Sequence, residues 1–159
     1  MFKLGGNHAV DAVAYHPYNG ATLPSSYANG QTPFDRISGS RDSVAAALAA
    51  NGSAGMPIWI TETGVSTNAP GAAGDGTSNQ SIASHVTEGY QAQIAANTVT
   101  TLAANPHVAT MFWYSDQDSA LAQDYSDLGA FFGLRRYDGS VKPAFGALKN
   151  SIATYVTAH

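Results

Sequence analysis

Three short stretches of this sequence end in side chains that could do chemistry together. They are His16-Pro17-Tyr18, Thr61-Glu62-Thr63-Gly64 and Trp113-Tyr114-Ser115-Asp116. Each follows a run of apolar residues. A Glu emerging directly from such a run is costly unless something pairs with it, which makes Glu62 the sharpest candidate. A phenol beside a carboxylate can donate a hydrogen bond that fixes it. Tyr18 and His16 share a side if the chain stays extended, which Pro17 between them favours. The indole of Trp113 offers a flat apolar floor on which a sugar face can stack. Each residue also has a plainer explanation. Glu62 reaches water at a strand end, Tyr18 caps the core, and Trp113 belongs to it. Asp116 and Asp118 are substrate ligands or, more simply, solvated loop acids. Trp59, earlier in its run, is expected in the core.

Several other chemistries are excluded. The chain has no Cys, which removes disulfides, thiolate metal sites, iron–sulfur clusters and thiol catalysis. His8, His85, His107 and His159 lack metal-ligand spacing and are expected to be structural or exposed, so neither metal nor cofactor is implied. The glycines between Gly71 and Gly76 form no phosphate cradle, and neither Ser66 nor Ser115 sits in a nucleophile elbow. With 11 acidic and 7 basic residues, a net charge of -4 and scattered Lys and Arg, there is no footprint for nucleic acid. No apolar run approaches the roughly 18 residues of a membrane span. Only 11% of the 159 residues are charged while Ala, Ser, Thr, Asn and Gly abound, which suggests a neutral, polar partner such as an oligosaccharide or polysaccharide. The first eight residues hold no apolar stretch long enough for a signal peptide, so an export signal, if the protein uses one, is expected elsewhere.

The elements that must position the candidates follow from pattern. Val10-Asp11-Ala12-Val13-Ala14-Tyr15, Pro57-Ile58-Trp59-Ile60-Thr61 and Val108-Ala109-Thr110-Met111-Phe112-Trp113-Tyr114 are short, rich in β-branched or aromatic residues, and flanked by Gly, Pro or Asn. They are expected as parallel strands buried on both faces. Helices are expected over 40–51, with Val44 and Leu48 on one face and Gly52 as a stop, and over 81–104, with Ile82, Val86, Tyr90 and Ile94 in steps of four. A last helix opens at Pro143 with Phe145, Leu148, Ile152 and Tyr155 as its stripe. The pattern is strand then helix, three times, in a single domain over 1–159. The long loops over 19–39, 66–80 and 115–140 each follow a strand, where α/β enzymes place their chemistry.

Taken in order, these motifs resemble a known family. Asp11-Ala12-Val13-Ala14-Tyr15-His16-Pro17-Tyr18, Pro57-Ile58-Trp59-Ile60-Thr61-Glu62-Thr63-Gly64 and Phe112-Trp113-Tyr114 look like the last three strands of the clan A retaining glycoside hydrolases, nearest to their β-xylosidase-like and cellulase-like members. Gly133-Leu134, Asp138-Gly139 and Lys142-Pro143-Ala144-Phe145 are similar to the tail of such enzymes. The resemblance implies a partial (β/α)8 TIM barrel, made of about three C-terminal strand–helix units with long loops after the strands. It implies Glu62 as nucleophile, His16 and Tyr18 as residues that orient it and contact the sugar, and Trp113 as an aromatic platform. It also suggests export, as for most such enzymes.

The chain departs from that family in two ways. A full barrel takes about 250 residues and eight strands. The family's general acid/base lies in an Asn-Glu motif on its fourth strand, and no Asn-Glu occurs here; the only glutamates are Glu62 and Glu88, the latter expected in mid-helix. Retaining hydrolysis uses two carboxyl groups about 5 Å apart, so the isolated chain is expected to be weakly active or inactive. Three strands cannot close a barrel, so a homo-oligomer or a complementing N-terminal portion is expected to cover the open side. The competing expectations are a non-catalytic carbohydrate-binding module, with Tyr15, Tyr18, Trp113, Tyr114 and Tyr125 as rim aromatics, and an assembly fragment that docks through its sheet edge. A flavodoxin-like fold is the structural alternative, but it usually needs five strands and a phosphate loop.

Overall fold

The computed structural model describes residues 5–26, 32–77, 83–121, 123 and 127–158. Three strands, β1 (Val13–Tyr15), β2 (Ile58–Thr63) and β3 (Val108–Trp113), lie in the order β1-β2-β3. Both pairings are parallel. Two helices, α1 (Asp35–Ser38) and α2 (Val44–Ala50), connect β1 to β2. The long α3 (Glu88–Ala103) connects β2 to β3, and α4 (Pro143–Ala158) follows. The sheet is open, and the arrangement is a partial (β/α) barrel of three strand–helix units. No helix among the described residues is long and apolar enough to cross a membrane.

The core lies on one side of the sheet. Ile58 and Ile60 of β2 are fully buried against Phe34, Ile37, Leu48 and Leu102, with Val13, Tyr15, Val108 and Met111 packed alongside. Each large apolar side chain buried here contributes about 1.5–3 kcal/mol relative to exposure. No helix covers the other side of the sheet among the described residues. Trp59 is 44% exposed there and Phe112 55%. Side chains alternate across a strand, so Trp59 points away from Ile58 and Ile60. This corrects two expectations: Trp59 is not a core residue, and the strands are buried on one face only.

Local signals explain the helix boundaries. The Ser43 hydroxyl accepts from Ala46 N at 3.2 Å and starts α2. Gly52, at φ 76°, closes α2 in the left-handed region that favours glycine, as the sequence suggested. Thr87 caps α3 in the same way, accepting from Tyr90 N at 3.2 Å. The helix therefore begins at Glu88 rather than near position 81. Glu88 is its first residue, not a mid-helix one. Val86 is buried in a bridge to Gly74 instead of on a helical stripe, and Val86 N donates to Ser66 O at 2.9 Å. Ser81, Ile82 and Tyr125 lie outside the described residues. In α4, Phe145 and Leu148 pack on the core as expected, whereas Ile152 and Tyr155 are exposed. β1 and β3 are the sheet's edge strands, and β1 is shorter than expected, with Val10 exposed before it.

Candidate active site

Parallel strands put their C-terminal ends on one rim, and here that rim brings Glu62, Tyr18 and His16 together. The Tyr18 hydroxyl donates to Glu62 Oε2 at 2.9 Å. His16 Nδ1 lies 3.6 Å from the same oxygen. His16 Nε2 is 2.7 Å from Thr61 Oγ1. The carboxylate and the imidazole are 43% and 46% exposed, so the cluster opens to solvent. Glu62 Oε1 makes no hydrogen bond among the described residues.

A bulge places this Glu. Ile60 pairs with Met111 but Thr63 with Trp113, so three steps along β2 face two along β3. Strict alternation from Ile58 and Ile60 would send Glu62 toward the helices. The extra residue re-aims it, so that the neighbours Thr61 and Glu62 both reach His16. The buried Thr63 hydroxyl then donates to Pro17 O at 2.9 Å, tying the His16-Pro17-Tyr18 segment to β2. Burial first, and then the hydrogen bond to Glu62 and its charge, hold the Tyr18 phenol well above the ordinary tyrosine range. It is therefore a permanent O–H donor at neutral pH.

Gly64 permits the next approach. A Cβ there would overlap the Tyr114 carbonyl and crowd the Phe132 ring. Tyr114, 40% exposed, and Phe132 thus come beside the cluster. Phe132 is an aromatic the sequence did not flag. It follows a 3-10 turn (Leu128–Phe131) deep in a long loop and belongs to no periodic pattern.

The other candidates lie elsewhere. Trp113 packs on the helix side, against the clusters around Val65 and Leu134, and its indole N–H donates to Phe132 O at 3.1 Å. Tyr15 also packs on the helix side, and its hydroxyl donates to Pro33 O at 3.1 Å. Asp116 is exposed, with Arg135 Nε 3.5 Å from Oδ1. Asp118 is not a solvated loop acid: it is 7% exposed and lies 2.8 Å from Lys142 Nζ, which is itself 1% exposed. Burial draws the Lys142 ammonium below its ordinary range, and Asp118 opposes that shift. Glu88 is held by Arg136 at 2.6 and 2.8 Å. No group of three or more metal-ligating side chains occurs among the described residues.

No family model matches this chain, and no curated protein matches it. Solved structures do share its fold. A family 39 glycoside hydrolase from Bacteroides cellulosilyticus WH2 superposes with a TM-score of 0.64 at 19% identity, over 94% of this chain and 28% of that one. The GH5_18 protein of Streptomyces cattleya, solved with GlcNAc, gives 0.56 at 21% identity, over 94% and 32%. A GH2 β-galacturonidase from Eisenbergiella tayi, solved with galacturonate, gives 0.56 at 16% identity, over 91% and 24%. The chain spans less than a third of the length of each. It shares, in part and at low identity, the (β/α)8-barrel fold of the clan A glycoside hydrolases, without matching any one of their families.

Proposed function

We propose that this chain carries the nucleophile side of a retaining glycoside hydrolase site for β-linked saccharides. The observation behind it is the half-exposed Glu62 carboxylate at the C-terminal rim of a parallel sheet, with one oxygen fixed by Tyr18 and the other without a hydrogen bond among the described residues. In such chemistry the free oxygen attacks the anomeric carbon and the leaving group departs with the bonding electrons. Water then releases the glycosyl ester. Tyr18 holds Oε2 so that Oε1 faces the incoming carbon. His16 and Asp116 are assigned to sugar hydroxyls, Tyr114 forms an apolar wall, and Trp113 supports that wall from behind. The acid that protonates an ordinary leaving group would come from outside this cluster, since Glu88, Asp116 and Asp118 each have a basic partner. We assign the open sheet face to a second copy of this chain or to complementary barrel units.

The test uses a leaving group that needs no acid. The chain is incubated with a panel of dinitrophenyl β-glycosides fluorinated beside the anomeric carbon, whose dinitrophenolate leaves unprotonated. A mass increase of one fluoroglycosyl group on the Glu62 peptide, lost in Glu62→Gln, is the expected result. No labelling by any sugar overturns the catalytic reading. If indole or tyrosine fluorescence still reports saccharide binding, the non-catalytic carbohydrate-binding reading takes its place.

A further inference from the structure

Phe132 stands between the cluster and the rest of the fold. Its ring meets Tyr18 edge-on, with centroids 5.8 Å apart and planes at 88°. It meets Tyr114 at 5.7 Å and 64°. Its carbonyl accepts from Trp113 Nε1 at 3.1 Å and from Ser115 N at 3.2 Å. One residue thus touches both tyrosines with its side chain and the end of β3 with its backbone.

Its two neighbours are clamped from below. Phe131 O accepts from Thr67 N at 3.1 Å and from Lys142 Nζ at 3.3 Å. Gly133 N donates to Asp118 Oδ1 at 2.9 Å. Lys142 Nζ joins these groups, at 2.8 Å from both Asp118 Oδ1 and Thr67 Oγ1. The packing is tight enough that a Cβ at Gly133 would overlap the backbone of Asp118. A buried ion pair of this kind adds little net stability against an apolar alternative, yet it fixes geometry, because each partner is costly to leave alone.

We infer that Phe132 is a positioning residue for the Tyr18–Glu62 hydrogen bond, and that the buried Lys142–Asp118 pair holds Phe132 in place. A tyrosine ring on the sheet rim can swing about its first side-chain torsion. The Phe132 ring closes one side of that swing and keeps the hydroxyl on Glu62 Oε2. The catalytic consequence rests on the nucleophile reading of Glu62; the geometry does not.

The experiment has two readouts. In Phe132→Leu and Phe132→Met, which keep apolar volume but lose the ring, Tyr18 ionisation is followed by NMR of ring-labelled tyrosine and assigned by comparison with Tyr18→Phe. Tyr18 is expected to ionise at lower pH than in the unaltered chain, and Lys142→Met to move it the same way. Glu62 labelling is expected to slow roughly three- to tenfold, the scale of edge-to-face ring pairs. Unmoved Tyr18 ionisation in the variants that fold overturns the inference. Should neither Phe132 variant fold, the unaltered chain decides: ring–ring nuclear Overhauser contacts between Phe132 and Tyr18 support the inference, and their absence overturns it. A shifted Tyr18 in a chain that no glycoside labels upholds the positioning role and removes the hydrolase reading.

Discussion

The Tyr18 hydroxyl donates to Glu62 Oε2 across 44 residues of sequence, while His16 reaches the same oxygen from the other end of the His-Pro-Tyr segment. Both partners thereby engage one carboxylate oxygen, and the proposed reading makes the other oxygen the attacking atom. Hydrogen bonds to a charged acceptor are worth about 1.5–3 kcal/mol. Tyr18→Phe should therefore slow labelling of Glu62 by roughly ten- to a hundredfold while leaving the fold intact. Labelling rates measured beside thermal melts check this. An equal rate in both chains would remove Tyr18 from the site.

The raised ionisation of Tyr18 makes stability fall at high pH. Its proton is held more tightly in the folded chain than in the unfolded one, where the ordinary value of 10.0 applies. Above about pH 10 the unfolded state releases that proton first, so the stabilisation is complete below this pH and is lost as pH rises further. Tyr15 and Tyr90 are shifted the same way by burial and add to the slope. Tm measured from pH 8 to pH 11 should drop less steeply in Tyr18→Phe than in the unaltered chain.

Removing Lys142 should be among the most damaging single changes. Lys142→Met leaves Asp118 buried without its cation, at a cost of about 3–5 kcal/mol. Lys142→Met combined with Asp118→Asn should cost less than the sum of the two single changes, because the charge that needed a partner is gone. Denaturant melts of the four chains give the coupling directly.

Gly64→Ala should destabilise the chain by about 1–3 kcal/mol, the range of an overpacked core. The added methyl would press on the Tyr114 carbonyl, which is backbone and has little room to move. Gly89→Ala, where a Cβ meets nothing within 4 Å, is the control and should be neutral or slightly stabilising. Tm values of the two variants test the contrast.

The open sheet face predicts association. Trp59 and Phe112 on that face are 44% and 55% exposed, and both edge strands lack a neighbour among the described residues. Light scattering should return a mass above the 16.4 kDa of one chain, and Trp59→Glu should lower it. A single-chain mass at all concentrations would refute self-association.

Much of this architecture could be read in the sequence. The three apolar runs contain the three parallel strands, and the Gly52 stop and Pro143 mark the end of α2 and the start of α4; four-residue spacing placed the start of α3 too early, with Val86 in a bridge, and α1 lies in a stretch expected as loop. Glu62 stands out in the sequence because a lone acid at the end of a buried run needs a partner, and the structure places Tyr18 and His16 against one of its oxygens. The parity of β3 could not be read. Met111, Phe112, Trp113 and Tyr114 are all apolar or aromatic, so no alternation shows which pair meets the helices. Packing decided that Met111 and Trp113 face inward and Phe112 and Tyr114 outward. Trp59 misled for the same reason: it lies among apolar residues on a strand with only one covered face.

By itself, then, the sequence determined the order of the three strands and of the three longer helices, the strand that bears Glu62 and the absence of thiol chemistry, since each depends on local periodicity or residue type. The tertiary structure alone decided which way those residues point and what holds them. The bulge that turns Glu62 to the rim exists only in the register between β2 and β3. The Lys142–Asp118 pair and the wedge of Phe132 join segments far apart in the chain. Register and long-range burial are properties of packed pairs of segments, and no single segment encodes them.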